Sequence, residues 1–283
     1  MLLKRKNVKL ATVDITKADD FPKLGSGYDV VYHFAAINGT SNFYTIPDQV
    51  IKVGAVGTIN VLEWFVTHNS KGKLIFASSS EAYAGLTKLL GNRFPMPTPE
   101  AVPLVVENPK NVRWSYAASK ILGESAMFSY GKARNLNRFA IVRYHNIYGP
   151  RMGYEHVIPQ FIQRILNKEE PFVIRGGEQT RSFCHVDDAV SATQLVAEKE
   201  ETNREIVHIG RSDAEIRITD LANRLFKLTG HKPRIKEEPP PEGSVTRRCP
   251  DASKLEKLGF KPTVDLAEGL KQTYEWYRQN AAK

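Results

Sequence analysis

The chain has 283 residues, 41% of them hydrophobic and 25% charged, a balance that excludes intrinsic disorder, a collagen-like fibre and a polytopic membrane protein. Its net charge of +9 suits an anionic partner, but the basic residues are scattered, with the densest runs at Lys4-Arg5-Lys6 and Arg247-Arg248, so neither nucleic acid nor a membrane is expected. No stretch approaches the ~20 uninterrupted apolar residues of a spanning helix. The opening residues lack the apolar stretch of a signal peptide, and two cysteines, Cys184 and Cys249, make no disulfide framework, so the expected location is cytoplasmic.

In chain order, short runs rich in Val and Ile predict strands at 8–13, 29–34, 73–78, 139–144 and 205–209, apolar on both faces as in a buried parallel sheet. Apolar periodicity predicts helices at 49–67, 119–133, 157–166, 186–197, 218–229 and 266–279. Strand alternating with helix predicts an α/β fold, a doubly wound parallel sheet. Residues 94–109, with five prolines, form a long loop after the third of these strands, and loops of that size commonly serve a site. A turn-rich loop at 237–243 precedes the closing helix.

The strongest chemical signal is Tyr116-Ala117-Ala118-Ser119-Lys120 at the head of a helix. Four residues apart, Tyr116 and Lys120 share one helical face. An ammonium beside a phenol favours the phenolate, so Lys120 is expected to lower the Tyr116 pKa from ~10 and let it act as a base nearer neutrality. Ser78, Ser79 and Ser80 follow a buried strand, at the carboxyl end where open α/β sheets bind ligands. A serine hydroxyl there hydrogen-bonds a substrate oxygen while the tyrosine moves its proton. For Ser78, capping of the following turn is an equally good reading. His33 and His185 read as packed structural histidines.

These motifs, with Asp14-Ile15, Val30 to Ala36, Gly57-Thr58-Ile59-Asn60, Glu81-Ala82-Tyr83, Arg143 to Arg151, Arg181 to Asp188 and Arg247 to Asp251, resemble in order and spacing the extended short-chain dehydrogenases/reductases, the NAD-dependent epimerase/dehydratase family. The resemblance implies a Rossmann-like domain over 1–150 that also receives parts of 180–210, and a smaller, mainly nucleotide-sugar-binding domain over 151–283. It implies NAD as cofactor, NADP being the alternative, and a nucleoside diphosphate sugar as substrate. Tyr116 becomes the acid/base, Lys120 its electrostatic partner and ribose ligand, and Ser79 the assisting hydroxyl, with Glu81 as an acidic member of the catalytic set. Asp14 and Ile15 match the adenine-binding step, and Ala35 and Ala36 the lining beside the cofactor phosphates. Ser80, Asn146, His156, Val157, Arg181, Arg247 and Arg248 fall on the substrate side. Arg fits a diphosphate because its forked donors stay charged, although Arg181 reads also as an ion-pair partner of Asp187 or Asp188. The family reaction oxidises a sugar carbon, commonly C4, and later returns the hydride. A 4-epimerase is the leading expectation, a dehydratase or decarboxylase the alternative, and a sugar-binding remnant without turnover a third. No metal ligand set is read. Members dimerise through the tyrosine helix and the helix before it, here 49–67, so a homodimer is expected.

The chain departs from the family pattern at its start. The glycine-rich turn that sets a cofactor pyrophosphate on a helix N-terminus is missing, and the run 8–13 matches the family's third strand, so about 60 N-terminal residues are expected to be absent relative to the pattern. The strand at 8–13 is then expected to pair directly with 29–34, or to leave an edge that pairs with another chain, or else the chain is a fragment of a longer product. Gly54 stands where the family usually carries Asn, and Ser244 where many relatives carry Asp.

Overall fold

Four apolar runs meet as one parallel sheet in the computed structural model, which describes residues 5–240 and 244–280. In chain order the elements begin β1 (Val30–His33), α1 (Thr40–Thr45), α2 (Pro47–His68), β2 (Lys73–Ser79), α3 (Ala84–Leu90), α4 (Ser115–Ala133), β3 (Phe139–Tyr144), β4 (Ile147–Tyr148) and α5 (Val157–Leu166). They continue with β5 (Phe172–Arg175), β6 (Thr180–Ser182), β7 (Cys184–His185), α6 (Val186–Glu198), β8 (Glu205–Ile209), β9 (Glu215–Arg217), α7 (Ile218–Thr229), β10 (Ile235–Glu238), β11 (Arg247–Arg248), α8 (Ser253–Lys257) and α9 (Leu266–Asn280). The main sheet has the order β1-β2-β3-β8, every pair parallel. β2 and β3 are buried along almost their whole length, which accounts for their unbroken apolar sequence.

Side-chain alternation sends Leu74, Phe76, Phe139 and Ile141 to one face, where Leu62, Phe65 and Met127 of α2 and α4 cover them. Ile75, Ala140, Val142, Val207 and Ile209 go to the other face, against Ala189, Ala192 and Val196 of α6. α2 and α4 approach closely enough that a Cβ on Gly54 would lie 2.3 Å from Ser119 Oγ. Glycine at the position of the expected Asn is therefore a packing requirement of this chain. On α4 itself, a Cβ on Gly123 would fall 2.2 Å from the Phe76 ring. α2 is long and apolar enough to cross a membrane by length and composition, and much of that apolar surface lies inside the fold.

Residues 8–13 correct the sequence reading. They form no strand and bond neither to β1 nor to another strand. Val13 and Ile15 pack instead against the α2 side of the core, Ile15 filling the space left by Gly57 and accepting a hydrogen bond from Asn60 Nδ2 at 2.9 Å. Of this run only Val13 finds apolar cover, Leu10 staying 73% exposed, and the backbone pairing that would make it a strand does not form. Among the described residues β1 pairs with β2 alone, and Tyr32 and Phe34 remain 43% and 50% exposed.

The last strand of the main sheet, β8, lies beyond residue 150 in the chain. A second core forms around α5, α7, α9 and β5, with Ile158, Phe161, Phe172, Leu221, Leu225, Leu270 and Tyr277 in contact. β10 pairs with β5, and β6 is flanked by β11 and β9. Residues 237 and 238 of the expected turn-rich loop end β10, while 241–243 lie outside the described residues, as do residues 1–4 of the opening segment.

Candidate active site

The carboxyl ends of β2 and β3 open into a cavity of about 710 Å³. Ser79 ends β2, and its hydroxyl caps the turn that follows by accepting from Glu81 N at 3.2 Å. α4 begins after Trp114 and brings Tyr116 and Lys120 to the same wall of the cavity. Phe43 of α1 stacks on the Tyr116 ring, centroids 5.0 Å apart, and fixes its plane. Ser79, Tyr116 and Lys120 thus line one cavity.

Their electrostatics differ from the expectation. Burial pushes the Tyr116 phenol up to about 12, and the Glu81 charge adds to this, while the Ser79 hydrogen bond pulls the other way. Burial also pulls Lys120 down to about 8, opposed by Glu124. The lowered phenol pKa is thus not found: loss of hydration sets the direction, and the Lys120 ammonium lies 5.4 Å from the ring centroid. Lys120 Nζ donates to Ala77 O at 2.7 Å, which engages one of its three protons. The other two suit a pair of sugar hydroxyls.

Glu81 lies in a clamp. Arg113 Nη2 stands 3.0 Å from one carboxylate oxygen and Arg248 Nη2 donates to the other at 2.5 Å. Burial alone would push this carboxyl up, but the two guanidinium cations hold it below the usual carboxylate range. Arg113 was not anticipated. Its guanidinium lies over Trp114 at 4.4 Å and its Nη1 is buried without a hydrogen-bond partner among the described residues. The available signal was a cation three residues before the tyrosine, at the head of the helix.

Of the remaining anticipated residues, Ala36, Ser80, Asn146, His156 and Arg248 line the cavity. Asn146 takes a left-handed conformation, φ 40°, with its amide donating to Ser182 O. Ala35, Asp14, Ile15, Val157, Arg181 and Arg247 do not line it. Asp14 is exposed and bonded to Thr16, and Val157 packs in the second core. Arg181 makes neither proposed ion pair: its guanidinium donates to Thr180 O, Val245 O and Gln179 Oε1, and burial lowers it to about 9, with the Arg248 charge adding to the fall. Arg247 is bidentate to Glu215 on the surface. The two arginines depart for one reason: each is held by carbonyls or a carboxylate that the fold brings close, Val245 O beside Arg181 and Glu215 of β9 beside Arg247. His33 is bonded to Thr58, and His185 caps α6. Beyond the anticipated set, Tyr32, Phe34, Tyr144, Val190 and Thr193 extend the cavity along the sheet face toward α6.

The residues fit one end of a dinucleotide. Tyr116, Lys120 with two free donors, Ser79 and Ala36 suit a nicotinamide ribose, whereas a glycine-rich turn for the pyrophosphate does not occur among the described residues.

The family model of the NAD dependent epimerase/dehydratase family matches residues 2–210. The UDP-N-acetyl-alpha-D-glucosaminuronate decarboxylase of Bacillus cytotoxicus is 35% identical, over 96% of this chain and 84% of the relative. Among solved structures, UDP-glucose 4-epimerase from Thermotoga maritima with UDP-glucose is 29% identical with a TM-score of 0.81, covering 95% of this chain and 84% of the other. A UDP-glucuronic acid 4-epimerase variant from Bacillus cereus, in complex with NAD and a fluorinated UDP-glucuronic acid, is 26% identical with a TM-score of 0.81, covering 94% and 80%.

Proposed function

The chain belongs to the NAD-dependent epimerase/dehydratase family, and on that premise we propose that it oxidises and re-reduces C4 of a nucleoside diphosphate sugar, as a 4-epimerase-like enzyme. The carrying observation is the convergence of Ser79, Tyr116 and Lys120 on one cavity wall at the end of β2. NAD, when bound, supplies a reversible hydride acceptor for the sugar carbon. Tyr116 moves the hydroxyl proton. Its phenolate takes the C4 hydroxyl proton as that carbon is oxidised, and the phenol so formed returns the proton to the C4 oxygen when the ketone is reduced, while burial favours the protonated form. Ser79 orients the C4 oxygen, and the Lys120 ammonium offsets the phenolate charge that burial opposes.

One observation favours decarboxylation as a second reading. Two guanidinium groups, Arg113 and Arg248, surround the single Glu81 carboxylate, leaving a net positive charge that suits a sugar carboxylate. A C4 ketone lies β to a C6 carboxylate, so a uronate oxidised there loses CO2 readily. A cytosolic homodimer completes the reading: Ile51 and Val56 of α2 and Leu122 and Phe128 of α4 are 36–43% exposed, an apolar stripe suited to a second copy.

The test is incubation with NAD and either UDP-glucose or UDP-glucuronate, followed by proton NMR of the sugar. Inversion at C4 supports epimerisation, and conversion to a pentose supports the second reading. Unchanged spectra for both sugars at stoichiometric protein would overturn the proposed chemistry.

A further inference from the structure

Tyr116, Lys120 and Glu124 follow one another on α4 at intervals of one turn, and only the first two have a role in the reaction above. Glu124 is buried and held from two strands. Ser78 Oγ of β2 donates to Oε1 at 2.5 Å. Arg143 of β3, paired in register with Ser78, donates from Nε to Oε1 at 2.8 Å and from Nη2 to Oε2 at 2.7 Å. The third nitrogen of Arg143 reaches Glu100 O in the proline-rich loop at 2.8 Å. Ser78 lies between Ala77, whose carbonyl holds Lys120, and Ser79, which lines the cavity with Tyr116. The carboxylate therefore fastens helix to strand at the residue next to the one that holds Lys120.

Lys120 forms no ion pair with a carboxylate among the described residues. Its ammonium lies 5.1 Å from the Phe76 ring centroid and 5.4 Å from that of Tyr116. The titratable and charged groups around it are Tyr116 and Glu124 from its own helix, His33 from β1 and, behind Glu124, the Arg143 cation of β3. Burial, with the Lys120 charge adding, lowers His33 to about 4, so it is neutral and bonded to Thr58 of α2. Glu124 is the negative charge in this set.

Resting on the reading of Tyr116 and Lys120 as the reacting pair, we propose that Glu124, fixed by Arg143 and Ser78, is a positioning residue that keeps Lys120 protonated and its ammonium seated on Ala77. Ser78, for which a turn-capping role was equally plausible in the sequence, anchors this device. A buried ammonium without a nearby anion loses its proton, and a neutral lysine offers a phenolate no charge.

The readout is the Cε resonance of Lys120 in ligand-free protein labelled with 13C-lysine, followed against pH and assigned by its loss in Lys120→Met. The expected midpoint is about 8 in the wild type. In Glu124→Gln it falls by about one unit or more, and Glu124→Asp restores most of the shift. Since Glu124→Gln leaves Arg143 buried without its partner, the double variant Glu124→Gln/Arg143→Gln serves where the single one fails to fold; with the Arg143 cation lost as well, a smaller fall in the same direction is expected. An unchanged midpoint in either folded variant overturns the proposal. The titration needs neither substrate nor cofactor, so a failure of turnover counts against the proposed function and leaves this inference standing.

Discussion

Replacing Glu81 with Gln removes the charge between Arg113 and Arg248 while preserving shape. The two ion pairs, at 3.0 and 2.5 Å, join side chains only 13–15% exposed. At an effective dielectric of about 20, unit charges 4 Å apart interact by about 4 kcal/mol, and desolvation offsets much of this. Leaving a buried ion unpaired costs about 3–5 kcal/mol, and the partial exposure here points to the lower end, about 3 kcal/mol. The carboxyl is held below its ordinary 4.5. Its contribution is therefore complete above the unfolded value and is lost as pH falls through the lower folded one. The assay is urea unfolding of wild type and variant by tryptophan fluorescence, from about pH 3.5 to 7. The stability gap should be constant above about pH 5 and close below it. A gap under about 1 kcal/mol at neutral pH, or one that widens in acid, refutes the clamp as an electrostatic unit. The same variant should bring the Tyr116 titration below about 12, since the Glu81 charge raises it.

Tyr116→Phe should reduce turnover by about 100-fold or more while leaving nucleotide-sugar affinity within a few fold, as measured by steady-state kinetics and calorimetry. Lys73→Met removes a buried ammonium that donates to Val196 O, Lys199 O and Thr202 Oγ1, and it should cost about 2–3 kcal/mol in urea unfolding at neutral pH. Burial lowers Lys73 to about 8, so the wild type should gain stability relative to this variant between about pH 8 and 10, where the unfolded chain holds the extra proton. Gly123→Ala places a Cβ 2.2 Å from the buried Phe76 ring, and overpacking of about 1–3 kcal/mol should exceed the gain in helix propensity, lowering the melting temperature.

The motif at the head of α4 was legible because its chemistry is local: one helical turn brings Tyr116 and Lys120 to a common face, and the serines follow a strand whose burial is written in its own residues. Glu124 was on the same face but silent, since nothing in a lone carboxylate reveals that Arg143 of another strand will claim it. Arg181 and Arg247 show the converse, as their proximity to site motifs did not predict which carbonyl or carboxylate each would meet.

Apolar periodicity and turn residues alone determined the four strands of the main sheet, its parallel sense, the six longer helices and the shared face of Tyr116 and Lys120, because these depend on neighbours a few residues apart. Only the tertiary structure decided that residues 8–13 form no strand and that Val13 and Ile15 pack beside α2, that Arg113 and Arg248 close on Glu81 and that burial raises the Tyr116 phenol. Whether a run becomes a strand rests on a backbone partner, and a pKa rests on how much water the rest of the chain displaces. Both quantities belong to contacts between distant segments and exist only once the chain has folded.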